Sequence, residues 1–239
     1  IGKKFCTATA RLAIEKVQEG YQPVFSENKK YILSFNGEIF NYKEIISKYH
    51  FSKKIINSEA KLLIKLFELK GVDFVKEIQG QFAISIYDLT NNKLYLFRDR
   101  FGVRPLYYKY KNKTFLYSSE IKSIVAFEET VPKTSLMSIA STSLFWSNIG
   151  GMTSFEDIFQ IPSGNYLIFS KDNFKIEKYW DNPICLVNNK NEANKNFNYD
   201  KFFSLIKEAV NRQIHGEVGF SSYLSGGVDS SVISYLLTQ

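Results

Sequence analysis

From Gln79 the apolar pattern of the chain switches to a period of two, and this restricts the middle of the molecule to strands. Phe82, Ile84 and Ile86 alternate with Ala83, Ser85 and Tyr87, Asp88 to Asn92 makes a turn, and Lys93 to Arg98 is the next strand. Leu106 to Tyr110 and Thr114 to Ser119 form another hairpin across Lys111-Asn112-Lys113. Connections this short join antiparallel strands, because a parallel pair needs a crossover of a dozen residues or more.

Helices precede these strands. Ser58 to Lys70 places Leu62, Leu63, Leu66 and Phe67 on one face, with Ser58 as cap and Gly71 as terminator. Tyr42 to His50 is a shorter helix, with Asn41 as its cap and Glu44 completing a capping-box-like pair. Before it, Tyr31 to Phe35 reads as a strand that runs into Asn36-Gly37, first of all a turn signal. Helices first and an antiparallel series afterwards is an α+β pattern. Glu120 to Phe127 and Ser135 to Phe145 read as further helices, Gly150-Gly151 as a break, and Tyr166 to Ser170 as one more strand.

A second organising stretch lies near the C-terminus, Ser225-Gly226-Gly227-Val228-Asp229-Ser230. The Val/Phe/Tyr-rich run Glu217 to Leu224 reads as a buried strand, and Asp229 to Gln239 reads as a helix. Strand, glycine turn and helix aim backbone N–H groups and a positive helix end at phosphate. Asp229 either caps the helix or holds a magnesium-bound phosphate, and Ser225 and Ser230 add hydroxyl donors. The plain alternative is a turn followed by a capped helix. Upstream, Asp181 to Asn198 is rich in Asn, Lys and Glu and reads as a linker, and Phe202, Leu205, Ile206, Ala209, Val210 and Ile214 form a helical stripe.

Composition narrows the function classes. The net charge of +7 is spread along the chain without a dense basic helix, which argues against nucleic acid. Three of five arginines, Arg98, Arg100 and Arg104, fall within seven residues, where a planar donor fork is wanted. Cys6 and Cys185 form no CxxC, His50 and His215 are isolated in polar contexts, and no metal site is expected from these residues. No apolar run is long enough for a membrane span, and Ile1-Gly2-Lys3-Lys4 leads into no signal core, so a cytoplasmic protein is expected.

Several strings occur in order: Arg11-Leu12-Ala13-Ile14, Gln22-Pro23, Asn36-Gly37-Glu38-Ile39-Phe40-Asn41, Gly80-Gln81-Phe82-Ala83, Arg98 to Tyr107, Ser119-Glu120-Ile121-Lys122, Ile161-Pro162-Ser163-Gly164, Tyr179-Trp180 and the Ser225 loop. Together they resemble the glutamine-hydrolysing asparagine synthetases. The loop alone resembles that of ATP pyrophosphatases. The resemblance implies an α+β amidotransferase domain of the N-terminal-nucleophile type over 1–180, with antiparallel sheets sandwiched by helices. It implies a linker over 181–198 and the start of an α/β ATP-pyrophosphatase domain over 199–239.

The implied chemistry is ammonia release from glutamine, followed by amidation of an aspartate carboxylate activated by ATP, with AMP and pyrophosphate as products. By resemblance Arg11 pairs with the glutamine α-carboxylate, Asp99 holds its α-ammonium, and Asn36 with the Gly37 backbone donates to the oxyanion. Glu38 anchors the amino acid portion, Ile14 contributes backbone contacts, Leu12 belongs to the same glutamine site, and Leu224, Ser225, Gly226, Gly227, Asp229 and Ser230 hold ATP pyrophosphate with Mg2+. Arg98, Arg100 and Arg104 are assigned to structure. A homodimer is compatible with this reading.

Departures shape the expectation. The family nucleophile is an N-terminal cysteine whose own amine is the base, whereas this chain begins with Ile1, and Cys6 reads as a small core residue. Lys61 stands where many relatives are acidic, on the solvent side of its helix. The expectation is a stretch of a longer enzyme, inactive by itself. Two alternatives stay open: another acceptor, such as a sugar carboxylate or a β-lactam precursor, and a non-catalytic glutamine-binding module.

Overall fold

A computed structural model describes residues 5–10, 20–52, 56–128, 131–183, 197–214 and 219–238. The described residues divide into two compact units, 5–10 with 21–181, and Gly20 with the remainder from Asn182. The first unit begins with β1 (Val24–Phe25), β2 (Tyr31–Ile39), α1 (Tyr42–Lys48), α2 (Glu59–Lys70) and a 3-10 turn at Gly71–Lys76. It continues through β3 (Gly80–Asp88), β4 (Lys93–Arg98), β5 (Tyr107–Lys111), β6 (Thr114–Ser118), α3 (Ile121–Glu128) and α4 (Leu136–Phe145). β7 (Phe159–Gln160), β8 (Asn165–Ser170) and β9 (Asn173–Lys178) complete it.

Two antiparallel sheets result, one ordered β1-β2-β3-β4-β8-β9 and the other β6-β5-β7. On one face of the larger sheet, Leu33, Phe35, Ile84, Ile86 and Phe97 meet Ile45 and Ile46 of α1 and Leu62, Leu63, Leu66 and Phe67 of α2. Its other face buries Ala83, Leu94, Leu96 and Leu167 against Leu106 and Tyr108 beside the smaller sheet. On the far side of β5, Lys109 is 6% exposed and pairs with Glu128 of α3 at 2.6 Å. Helix, sheet, sheet, helix is therefore the layer order of this α+β unit. Covering both faces of β3 costs it any polar side, and each large apolar side chain so buried contributes about 1.5–3 kcal/mol.

Local chemistry accounts for the element ends. The Ser58 hydroxyl accepts from the N–H of Lys61, and Gly71 stops α2 at φ 59° with its N–H on the carbonyl of Phe67. Lys61 is exposed, as its place on the helix implies. β9 escaped the sequence reading because the turn before it, Lys171-Asp172, has positive φ at both residues without the usual Asn-Gly.

Three readings are corrected. Tyr31 to Phe35 does not turn at Asn36-Gly37, because β2 runs unbroken to Ile39 opposite Gly80. Asn41 precedes α1 but makes no cap bond with its side chain. Instead it is buried, donating Nδ2 to the Glu77 carbonyl at 2.9 Å and accepting from the Gln79 N–H at 2.8 Å. Water can serve an exposed helix end, whereas buried backbone groups need a protein partner. Cys6 is exposed rather than core. Its neighbours point inward in alternation: Phe5 stacks on Tyr87, Thr7 bonds Tyr117 at 2.8 Å, and Thr9 donates to Ser34 at 3.1 Å.

Glu77 ties the two helices to this loop. Lys48 lies 2.7 Å from its carboxylate, the Tyr49 hydroxyl donates to it, and Lys70 approaches to 3.3 Å. These partners, Lys48 first, hold the carboxyl at about 2, below the ordinary 4.5. The folded state thus binds this proton less readily than the unfolded chain. The resulting stability is complete above 4.5 and disappears as pH falls through about 2. Glu77→Gln is expected to lower the urea midpoint at neutral pH, with the difference from wild type closing across that acid window. A constant difference down to the lowest pH would reject the ion pairs as its source.

In the second unit, α5 (Tyr199–Gln213) starts at Asn198, whose side chain accepts from Lys201 N–H, and contacts α6 (Val228–Leu237). Val210 and Leu236 are the buried residues of these two helices among those described. The strand expected over Glu217 to Leu224 is not formed by the described residues 219–224, and Tyr223 is 99% exposed. An extended segment becomes a strand only against a partner's N–H and C=O groups, and this unit's described residues contain none. Among the described residues no helix is long and apolar enough to cross a membrane.

Candidate functional site

The hydrogen-bond register of β2 decides which backbone groups are available. Phe40 N–H donates to Gln79 and Leu89 N–H to Lys30, so the even residues of β2 are those bonded to β3. The odd residues, Leu33, Phe35, Gly37 and Ile39, turn their N–H groups to the opposite edge. There Leu33 lies against Val24 of β1. Phe35 is served by the side chain of Gln22, which accepts from its N–H at 2.6 Å and donates to its carbonyl at 2.9 Å. The Ile39 N–H donates to a carboxylate oxygen of Glu59 at 2.6 Å. Between these two, the Gly37 N–H has no partner among the described residues.

Only glycine suits that position. Gly37 sits at φ 147°, and a Cβ there would fall 2.0 Å from the Gln81 carbonyl oxygen. On the face toward the smaller sheet, Asn36 is exposed, and its Nδ2 lies 3.3 Å from the Ser119 hydroxyl just after β6. An amide N–H2 and an open backbone N–H thus stand side by side. Glu38, two residues on, has a carboxylate with no partner among the described residues.

Asp99 belongs to the same row. Gly37 faces Phe82 across β2 and β3, and Asp99 N–H donates to the Phe82 carbonyl. Two strand spacings separate Gly37 from Asp99, about 10 Å. The Asp99 carboxylate is 1% exposed and accepts four backbone N–H groups, those of Phe82, Phe101, Val103 and Arg104, at 2.9–3.2 Å. The sequence reading placed this carboxylate at a ligand ammonium and did not foresee that its oxygens accept the backbone N–H groups that shape the 99–105 loop.

Arg98 is the donor counterpart. Its guanidinium reaches the carbonyls of Arg104, Ile161 and Gly102 at 3.0, 2.6 and 2.7 Å. Burial lowers its pKa, opposed by the adjacent Asp99. Gly102, at φ 68°, favours glycine by its backbone conformation, and a Cβ there would come within 2.8 Å of that guanidinium. Arg100 donates to the carbonyls of Lys76 and Ile78, whereas the Nε atoms of Arg100 and Arg104 are buried without a hydrogen-bond partner. The structural assignment therefore describes Arg98 and Arg100.

Arg11, Leu12 and Ile14 lie outside the described residues. The described segment before them ends beside Ser34, two residues along β2 from Asn36. Gln22, Glu59 and Ser119 are site residues without a role in the sequence reading. Gln22-Pro23 and Ser119 stand within the strings that carry the resemblance, yet nothing local marks either as a neighbour of Gly37.

The Ser225 loop is taken by itself. Gly227, not Asp229, occupies the cap position of α6, and Asp229 lies in its first turn. No side chain caps the first-turn N–H groups. Ser225 and Ser230 share a hydroxyl contact of 3.0 Å, and Ser230 and Ser231 donate to the Gly227 carbonyl. Gly226 turns at φ 82° in open space. No cluster of three or more metal-ligating side chains is found among the described residues.

Comparison with known proteins follows the same division. Residues 1–180 match the glutamine amidotransferase domain family, and residues 201–239 match the asparagine synthase family. Asparagine synthetase [glutamine-hydrolyzing] 2 of Bacillus subtilis (strain 168) is 30% identical over 248 residues, covering 100% of this chain and 33% of the relative. Asparagine synthetase B [glutamine-hydrolyzing] of Escherichia coli (strain K12) is 28% identical over 229 residues, covering 95% of this chain and 36% of the relative. The chain thus spans about a third of the length of these curated relatives. Among solved structures, a glutamine phosphoribosylpyrophosphate amidotransferase from B. subtilis, complexed with ADP and GMP, aligns over 69% of this chain and 33% of its own at 17% identity and TM-score 0.47.

Proposed function

Because the chain belongs to the glutamine amidotransferase domain family, we propose that its first unit holds glutamine with the side-chain amide at Asn36 and Gly37. The observation that carries this reading is the N–H of Gly37 on the edge of β2, open among the described residues, beside an exposed carboxamide. A side-chain donor and a backbone donor on adjacent residues suit a carbonyl oxygen that gains negative charge on attack. A fixed N–H in a strand needs no reorganisation as that charge develops. Asp99 and Glu38 supply negative charge for the α-ammonium, and Arg11 pairs with the α-carboxylate. Ile14 contributes backbone contacts, and Leu12 belongs to the same glutamine site.

For the whole protein we propose glutamine-dependent asparagine synthesis. Ammonia from glutamine displaces AMP from an aspartate carboxylate activated by ATP, and pyrophosphate is the other product. The uncapped first turn of α6, with Ser225, Gly226, Gly227 and Ser230, suits the pyrophosphate, and Leu224 leads into that loop. Asp229 would hold Mg2+, which neutralises phosphate charge and is commonly held through one or two carboxylates plus phosphate oxygens.

The test is product analysis of the full-length protein given glutamine, ATP and aspartate. AMP and pyrophosphate should form in equal amounts with asparagine. ADP and phosphate would overturn the synthetase reading, and inertness toward aspartate would overturn the acceptor.

A further inference from the structure

The gap at Gly37 is bracketed by two side chains that do the work of a neighbouring strand. β1 pairs with β2 through Val24 opposite Leu33 and Phe25 opposite Ile32, and the ladder continues toward Tyr31 through the Ser26 N–H. In the same register Gln22 would come opposite Phe35, and its carboxamide makes the pair of bonds that a backbone residue would make there. Glu59, at the start of α2, closes the Ile39 N–H on the other side. Both bonds are 2.6 Å from N–H to oxygen, shorter than an ordinary amide contact. The outer edge of β2 is thus clamped two residues before and two residues after the glycine, whose own N–H has no partner among the described residues.

We propose that Gln22 and Glu59 are positioning residues that fix the direction of the Gly37 N–H and keep that one place on the strand edge open for the ligand oxygen. A backbone strand there would have met the Gly37 N–H, whereas side-chain surrogates satisfy its neighbours and stop short of it. The inference rests on the glutamine reading only for the identity of the ligand. The clamp itself is a property of the free protein.

The experiment uses the whole 239-residue chain carrying nitrogen-labelled glycine and phenylalanine, so that the amides of Gly37 and Phe35 are observed directly. Gln22→Met keeps the side-chain length without its hydrogen bonds, Glu59→Ala removes the second clamp, and Glu59→Gln retains an acceptor. Without ligand, Gln22→Met should speed Phe35 amide exchange about tenfold or more and split or broaden the Gly37 resonance, while amides of α2 keep wild-type protection. Glu59→Ala should disturb Gly37 likewise, and Glu59→Gln should restore its single resonance. With glutamine, wild-type Gly37 should gain protection of about tenfold or more, and Gln22→Met should lose most of it for a change in Kd under about threefold.

A Gly37 resonance unmoved by either clamp variant would overturn the proposal. Should Gln22→Met not fold, Gln22→Glu keeps an acceptor for the Phe35 N–H without a donor for its carbonyl, and the same ligand-free readout decides. Failure of glutamine to perturb wild-type Gly37 would overturn the glutamine reading instead, and the ligand-free arm would still decide whether the clamps hold Gly37.

Discussion

Replacing Gly37 by alanine is expected to destabilise the first unit by about 3 kcal/mol or more and to weaken glutamine binding by more than about tenfold. The new Cβ would lie 2.0 Å from the Gln81 carbonyl oxygen and 2.8 Å from the Phe82 Cα. Both are backbone atoms of the paired strand, so no side chain can swing aside. The backbone angle of 147° adds its own penalty for an L-residue. Relief requires β2 to shift against β3, which moves the Gly37 N–H and Asn36 together. Urea unfolding followed by tryptophan fluorescence reports on this unit specifically, since Trp146 and Trp180 both belong to it. Gly150→Ala serves as the contrast within the same unit, because its Cβ would enter open space and only the φ of 66° resists. A loss below about 1 kcal/mol for Gly37→Ala would mean that the strand does not hold this register.

The second large effect is expected at Asp99. Asp99→Ala deprives four backbone N–H groups of their acceptor and leaves the guanidinium of Arg98 without its adjacent negative charge. At about 1–3 kcal/mol for each donor left buried, and less for those the opened loop exposes to water, a loss of about 4 kcal/mol follows. Asp99→Asn separates structure from recognition, because it keeps the size of the side chain and removes the charge. Glutamine should then lose its binding advantage over glutaramate, which lacks the α-ammonium. If the preference for glutamine survives in Asp99→Asn, the ammonium is held elsewhere, and Glu38, whose carboxylate has no partner among the described residues, is in place to hold it.

Much of the scaffold was legible because its causes are local. α2 is announced by its apolar stripe, its serine cap and its terminal glycine, all within 14 residues of chain. The hairpin between β5 and β6 is announced by alternation and a short polar turn. The site residues Asn36, Gly37 and Asp99 stood out as residue types in familiar strings. Their physical duties did not. The 217–224 run also looked like a strand, since apolar content signals burial without saying whether partner strands are at hand.

Sequence alone determined the antiparallel α+β character of the first unit and the chemical identity of its donors and carboxylates, because periodicity and side-chain chemistry are properties of neighbours along the chain. Tertiary structure decided the rest. The parity of pairing between β2 and β3 selects which N–H groups face outward, and among the described residues side chains as distant in sequence as Gln22 and Glu59 close the neighbours of Gly37 and leave its N–H open. The same register brings Asp99 level with Phe82 and commits its carboxylate to four N–H groups. Strand pairing joins residues that are remote along the chain, and a shift of one position would turn a different set of groups outward.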